Sequence, residues 1–187
     1  LAGEVYTQLG QTDYAAEIAQ IRASGADSVF IFLPGGMGIA FTKQYAQSDV
    51  GIPLLGPGFS FSQDVLAAIG EAAIGVKNSA SWSHDLDNAA NVEFVEAFQA
   101  EYGRLPSVYA AQAWDTANLI LSAAEKASVS DKDAFRAALK AADFDSVRGK
   151  FAFNTNNHPI QDLYVREVVM EGDVITNKIV GTVFTDH

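Results

Sequence analysis

A glycine-rich turn, Leu33-Pro34-Gly35-Gly36-Met37-Gly38, could bind a ligand through its backbone. It follows the apolar run Ser28–Leu33 and precedes a helical pattern, so it lies where a buried strand ends and a helix begins. Free backbone N–H groups and the partial positive charge of a helix N-terminus favour a ligand there. The turn is not a dinucleotide fingerprint, because Phe41 stands where a third small residue is needed, and no Lys-Ser/Thr pair marks a phosphate loop. The alternative is a turn that needs glycine only for its backbone angles.

A second candidate loop, Gly56-Pro57-Gly58-Phe59-Ser60-Phe61, follows the short apolar run Ile52–Gly56. Aromatic side chains on a loop are unfavourable in water and well suited to stacking on a planar or apolar ligand. Phe59 and Phe61 are therefore expected either to contact a ligand or to close a local core, and the sequence leaves both possibilities open.

A third group is formed by Tyr109, Trp114 and Asp115 on one predicted helix. Tyr109 and Asp115 are six positions apart, so they lie on different helical faces and cannot both line one pocket. Core packing is the expected role of Trp114.

The residues available for catalysis are few. The chain has no cysteine, and its three histidines, His84, His158 and His187, lack the spacing of a metal motif or of a Ser/His/Asp triad. His84-Asp85-Leu86-Asp87 could bind a cation, but a solvated loop that caps the next helix is the simpler interpretation. Carboxylates far apart in the sequence could still supply acid/base catalysis. We nevertheless expect no enzyme activity, no metal and no cofactor, and disfavour a flavodoxin-like enzyme.

Composition narrows the range of partners. The 187 residues include 12 Lys and Arg against 23 Asp and Glu, a formal charge of −11, which disfavours nucleic acid and anionic membranes. The chain is 49% hydrophobic and 19% charged, as expected for a globular protein with a sizeable core. A small molecule or another protein is the expected partner.

The elements that must position these loops alternate between helix and strand, which predicts an α/β fold with a parallel sheet covered on both faces. Beyond Gly103–Pro106, two helices are expected, and then a period-2 pattern whose last two strands are joined by the turn Glu171–Asp173. The predicted helices are Ala15–Ala23, Ile39–Gln47, Gln63–Ile69, Asn91–Tyr102, Ser107–Lys126 and Asp131–Ala141. The predicted strands are Gly3–Thr7, Ser28–Leu33, Ile52–Gly56, Gly75–Trp82, Gly149–Phe153, Leu163–Met170 and Val174–Val183.

Three stretches, Gly10–Ile21, Ala26–Phe30 and Tyr102–Asp115, together resemble the type I periplasmic binding proteins of the Leu/Ile/Val-binding branch, which feed ABC importers. The resemblance implies two α/β lobes joined by three crossovers, with a ligand held in the cleft. It implies that residues 1–105 are a flavodoxin-like, three-layer second lobe entered partway through. Residues 106–146 would be helices normally belonging to the first lobe, and 147–187 the antiparallel C-terminal strands of the hinge and second lobe.

The resemblance also implies ligand-binding positions. Phe32, Leu33, Pro34, Gly35 and Gly36 match one cleft loop of the second lobe, and Gly58, Phe59 and Phe61 match the next. Tyr109 is a further candidate. The resemblance implies that relatives which bind amino acids place an acidic residue in this second loop, at the position of Gly58, to hold the ligand ammonium. Its absence here favours an aromatic carboxylate over an α-amino acid, and Gly58→Glu is expected to recover ammonium binding.

The implied function is therefore solute binding for an ABC importer. The ligand would be a small carboxylate, either branched-chain amino acid-like or, in better agreement with position 58, aromatic. The partners would be the membrane subunits of the transporter, and the location periplasmic. The alternative is a sensing domain of a receptor or regulator with the same fold. Leu119, Ile120 and Phe135 would lose their cover if the first lobe is absent. We therefore expect either that these helices repack on their own sheet or that two chains exchange them in a domain-swapped homodimer.

Overall fold

The computed structural model describes residues 1–186, and this part of the chain divides into two compact units. The first unit contains Leu1–Ala80 and Val165–Lys178, and the second contains Ser81–Tyr164 and the residues from Ile179 onward. Within residues 1–186, every helix is too short or too polar to span a bilayer.

The first unit alternates helices and strands as the apolar pattern predicts. Strands β1 and β2 are each followed by a loop of five residues and then by a helix. In chain order the elements are α1 (Ala15–Ala23), β1 (Val29–Phe30), α2 (Gly36–Gln47), β2 (Leu54–Pro57), α3 (Gln63–Ile69), a short 3-10 helix (Gly70–Ala73) and β3 (Lys77–Ala80).

A mixed sheet organises this unit. Among the described residues it has five strands, in the order β1-β2-β3-β6-β7, where β6 is Leu163–Glu171 and β7 is Val174–Phe184. Strands β1, β2 and β3 are parallel, with Val29 opposite Leu54 and Leu55 opposite Lys77. Strands β6 and β7 form the predicted hairpin, and Gly172 adopts a φ of 62° in its turn. The predicted α/β class and the antiparallel C-terminal strand pair are confirmed.

The core of the first unit lies between the sheet and its helices. Tyr14 meets Phe41 edge-to-face with ring centroids 5.3 Å apart, and Phe41 stacks on Tyr45 at 5.5 Å. Phe61, Leu66 and Val168 complete this core. Large side chains thus fix helices α1, α2 and α3 to the sheet. The residues accessible to a ligand are those of the loops at the strand ends.

The predicted strand Gly3–Thr7 is wrong. Residues 1–8 form no helix or strand, and a groove of about 990 Å³ separates Leu1–Thr7 from the edge strand β1. A strand is defined by hydrogen bonds to a neighbouring strand, so an alternating sequence without such a neighbour forms none.

The second unit is mainly helical, with α4 (Ala89–Tyr102), α5 (Val108–Lys126) and α6 (Lys132–Ala141), followed by the short antiparallel pair β4 (Ala152–Phe153) and β5 (Pro159–Ile160). Each helix begins at a polar cap. The side chains of Asn88, Ser107 and Asp131 accept hydrogen bonds from backbone N–H groups three residues later. Asn88, rather than the preceding His84–Asp87 loop, therefore caps α4.

The two units divide the chain differently from the predicted lobes. One division falls between Ala80 and Ser81, so α4 groups with α5 and α6 rather than with the first unit. The lobe assignments 1–105, 106–146 and 147–187 stay predictions, and His187 lies outside the described residues.

Candidate functional site

The candidate site lies at the carboxyl ends of β1 and β2. These strands are neighbours and parallel, so the segments that follow them, residues 31–35 and 58–62, emerge at the same edge of the sheet. The hydroxyl of Ser60 donates a 2.8 Å hydrogen bond to the Leu33 carbonyl, which ties the second loop to the first. The two candidate loops of the first unit are therefore brought together.

Two aromatic rings meet at this edge. Phe32 and Phe59 pack edge-to-face, with centroids 5.0 Å apart and planes at 80°. Phe32 is 69% exposed and Phe59 is half-buried. Together they present accessible aromatic surface with a fixed mutual orientation, the geometry that favours a planar apolar ligand.

Phe61 does not belong to this surface. Its side chain is 0% exposed and packs in the core, where a Cβ built on Gly56 would lie 2.6 Å from its ring. Of the two roles that the sequence left open for this residue, core closure is the one observed. The expectation that Phe61 contacts a ligand is corrected for this reason.

Two positions of the glycine-rich turn, 35 and 38, favour glycine for different reasons. Gly35, the residue before α2, has a φ of 51°, which favours glycine. At Gly38, a Cβ would lie 2.6 Å from the Leu33 carbonyl oxygen, so the helix could not approach the strand with a side chain there. Pro34, Gly35 and Gly36 are exposed, whereas Leu33 is buried. Only the exposed residues of the turn are available to a ligand.

A chain of buried polar groups holds the aromatic loop from behind. Arg166 donates to Asn78 Oδ1 from Nε at 3.0 Å and from Nη2 at 2.6 Å, and Nη2 reaches the Gly58 carbonyl at 3.4 Å. Asn78 in turn donates to Asn177 Oδ1 at 2.7 Å, and Asn177 donates to the Phe61 carbonyl at 2.8 Å. Sequence reasoning missed these residues, although Arg166 shares the strand face of the buried Val168.

The third candidate group lies in the second unit. Tyr109 is 52% exposed on α5, while Asp115 is buried and accepts hydrogen bonds from Ser146 Oγ, Val147 N and Arg148 Nε. The two side chains do occupy different faces. Trp114 packs against Phe94 but stays partly exposed, so it lies at the margin of the core rather than inside it.

In the part of the chain that the structure describes, no three His, Asp or Glu side chains are grouped as a metal site requires. Asp85 instead accepts a hydrogen bond from the backbone N–H of Ile179 at 3.0 Å.

A family model described as periplasmic binding protein matches residues 1–173. The chain belongs to this periplasmic binding protein family. The predicted family is thereby confirmed over nearly the whole sequence.

Three relatives of this periplasmic binding protein chain are informative. Leu/Ile/Val-binding protein homolog 6 of Brucella melitensis is 32% identical over 177 residues, covering 88% of this chain and 44% of the relative. An ABC transporter solute-binding protein from Rhodopseudomonas palustris, in complex with benzoate, has a TM-score of 0.84 and 35% identity, covering 94% of this chain and 48% of that one. A solute-binding protein from strain HaA2 of this species, in complex with p-hydroxybenzoic acid, has a TM-score of 0.85 and 30% identity. The match covers 95% of this chain and 50% of that one.

The periplasmic binding protein chain described here thus spans about half the length of the relatives that it matches, 44% to 50% of each. These relatives carry the names of binding proteins rather than of enzymes. The α/β fold with its mostly parallel sheet is shared with the solved structures.

Proposed function

We propose that this chain is part of a solute-binding protein that captures a small aromatic carboxylate for an ABC importer. The observation on which the proposal depends is the accessible Phe32–Phe59 pair at the carboxyl ends of two parallel strands. The ring of a benzoate-like ligand would pack on these aromatics, while the backbone N–H groups of Gly35 and Gly36, in the exposed turn where α2 begins, would face its carboxylate.

The composition of the loop formed by residues 58–62 supports the aromatic class over α-amino acids. This loop contains no acidic residue, so it offers no carboxylate for a ligand ammonium, and an unpaired buried ammonium is costly. The relatives in complex with benzoate and p-hydroxybenzoic acid support the same ligand class. The Brucella relative, named for Leu/Ile/Val binding, supports a branched-chain amino acid as the second candidate.

The function proposed is binding without chemical conversion. In the full-length protein, ligand contacts from two lobes would favour a closed state, and that state is what the transporter's membrane subunits would recognise outside the cytoplasm. Tyr109 remains a proposed ligand contact of the full-length protein, as the resemblance implies.

Calorimetry on the full-length protein tests the ligand class and the site together. We expect benzoate and 4-hydroxybenzoate to bind more tightly than leucine, and Phe59→Ala to weaken aromatic-acid binding by about 1–3 kcal/mol with little change in stability. Phe32→Ala should behave in the same way.

Phe61→Ala is the matched control, because it removes the same ring from the same loop. It should lower the free energy of unfolding by about 3–5 kcal/mol and leave the affinity of the folded protein nearly unchanged. Tight binding of leucine alone would favour the second candidate. Unchanged affinity in Phe59→Ala and Phe32→Ala would contradict the site.

A further inference from the structure

The aromatic loop is attached at both ends to one buried polar chain. Arg166 is 2% exposed, and Asn78 and Asn177 are 3% exposed each. The Gly58 carbonyl, just before Phe59, faces Arg166, and the Phe61 carbonyl, two residues after Phe59, accepts from Asn177. The backbone on either side of Phe59 is therefore oriented by side chains of β6 and β7.

Gly58 and Arg166 also fit each other sterically. A Cβ at Gly58 would lie 3.1 Å from Arg166 Nη2, 2.7 Å from the Ser79 carbonyl oxygen and 2.8 Å from the Ala80 Cβ. The Gly58 N–H donates to the same Ser79 oxygen at 2.8 Å. The guanidinium thus takes up space that a side chain at position 58 would need.

Stability alone gives a weak reason for an arginine in this place. Burying a guanidinium is costly, and apolar residues of similar volume are often as stabilising or more so. What an apolar residue cannot do is orient a carbonyl group, since hydrogen bonds are directional and buried networks fix one arrangement. This chain of contacts reaches the two carbonyl groups that flank Phe59 and Ser60.

We propose that Arg166 is a positioning residue for the ligand site: through Asn78, Asn177 and Gly58 it holds the 58–61 loop so that Phe59 meets Phe32 edge-to-face. This inference rests on the proposed function, because it assigns Arg166 a role in ligand affinity through Phe59. Arg166 itself is buried and need not touch the ligand.

A double-mutant cycle on benzoate affinity tests the proposal in the full-length protein. Arg166→Met preserves the approximate volume and removes the hydrogen bonds, and should weaken benzoate binding about five- to tenfold. In a Phe59→Ala background, the same substitution should change the affinity less than about twofold, because the ring it positions is already absent.

Arg22→Met is the matched control. It makes the same chemical change on the exposed face of α1 and should leave benzoate affinity unchanged in both backgrounds. Thermal unfolding without ligand corrects each value for the folded fraction. If Arg166→Met does not fold, Asn177→Ala removes the donor to the Phe61 carbonyl at the other end of the chain and is expected to show the same non-additivity.

The outcomes separate the two proposals. If Phe59→Ala alone leaves benzoate affinity unchanged, the proposed site is wrong and this inference fails with it. If Phe59→Ala weakens binding but Arg166→Met does not, or if their effects multiply in full, only the positioning role is overturned. If the role of Arg166 is purely structural, Arg166→Met should lower the unfolding temperature. Its effect on benzoate affinity should then multiply in full with the effect of Phe59→Ala.

Discussion

Two glycines shape the aromatic loop by lacking side chains. Gly56 leaves room for the Phe61 ring, and Gly58 leaves room for the Arg166 guanidinium, Ala80 and the Ser79 carbonyl. Neither has a positive φ, so their role is close packing rather than backbone freedom. A side chain at position 58 would point into this packed region and not toward Phe32 and Phe59.

Gly58→Ala is therefore expected to destabilise the protein by about 1–3 kcal/mol, the range for overpacking a filled region. Gly58→Glu should be worse, and leucine affinity should not appear, contrary to the expectation from the sequence. Urea unfolding and calorimetry measure the two effects. Gly181→Ala, where a Cβ meets nothing within 4 Å, is the control and should stay within about 0.5 kcal/mol of wild type.

Tyr45 should make stability fall at alkaline pH. Burial raises the pKa of its phenol above the ordinary value of 10.0, and the hydroxyl donates to the Ile52 carbonyl at 2.8 Å. As pH rises past 10.0, the unfolded chain loses this proton first. The stabilisation is thus complete below that pH and is lost as pH rises through the folded pKa.

Tyr45→Phe should show a shallower loss of unfolding free energy above pH 10 than wild type, measured by urea unfolding at several pH values. At neutral pH it should be about 1 kcal/mol less stable, because the Ile52 carbonyl loses its partner. An unchanged alkaline slope would contradict the assignment. Burial, and secondarily the charge of Asp162, also raise the pKa of Tyr164, so some slope should persist.

At the scale of elements, helices were predictable because periodicity and caps are local. Predicted and observed bounds coincide for Ala15–Ala23 and Gln63–Ile69. Strands depend on partners, so Ser28–Leu33 shortens to the ladder Val29–Phe30 and Gly3–Thr7 forms no strand.

The candidate site was partly predictable. Ligands of open α/β sheets bind at the carboxyl ends of the strands, and this rule located both loops. The rule could not distinguish the accessible Phe59 from the buried Phe61, because a loop has no periodicity that predicts which of its side chains are buried. Asn78 and Gly58, to which Arg166 donates, are 88 and 108 residues away in sequence, and no local pattern connects them to it.

Helix α5 is fastened to the turn before β4 by Asp115. Its carboxylate accepts from Ser146 Oγ at 2.6 Å, from Val147 N at 3.0 Å and from Arg148 Nε at 2.8 Å. Arg148 also lies over the Phe151 ring at 4.5 Å. One buried carboxylate thus joins two segments that are more than 30 residues apart in sequence.

Asp115→Ala should lower the free energy of unfolding by about 3–5 kcal/mol, because it leaves the nearly buried Arg148 without its carboxylate. Asp133→Ala breaks the exposed pair with Arg136 and should change stability little. Urea unfolding followed by tryptophan fluorescence compares the two variants. Equal losses would show that burial does not decide the strength of the Asp115 pair.

At the scale of the whole chain, one edge of the sheet is open. Within the described residues β1 pairs only with β2, and Phe30 on this strand is 66% exposed beside the groove that Leu1–Thr7 borders. Unpaired strand edges tend to pair with other chains, and exposed aromatic surface adds to this tendency. The net charge of −11 opposes association by mutual repulsion.

We therefore expect the isolated 187-residue chain to self-associate, and to do so more strongly at high salt, because screening weakens repulsion between exposed charges while apolar contacts persist. Sedimentation velocity at low and high salt measures this. Phe30→Lys should suppress association if the sheet edge is the contact. Ile120→Lys, on the exposed side of α5, should suppress it if helices are exchanged, as in the domain-swapped dimer that the sequence predicts. A monomer at every concentration and salt would contradict both, since it would mean that charge repulsion outweighs the open edge and the exposed apolar side chains together.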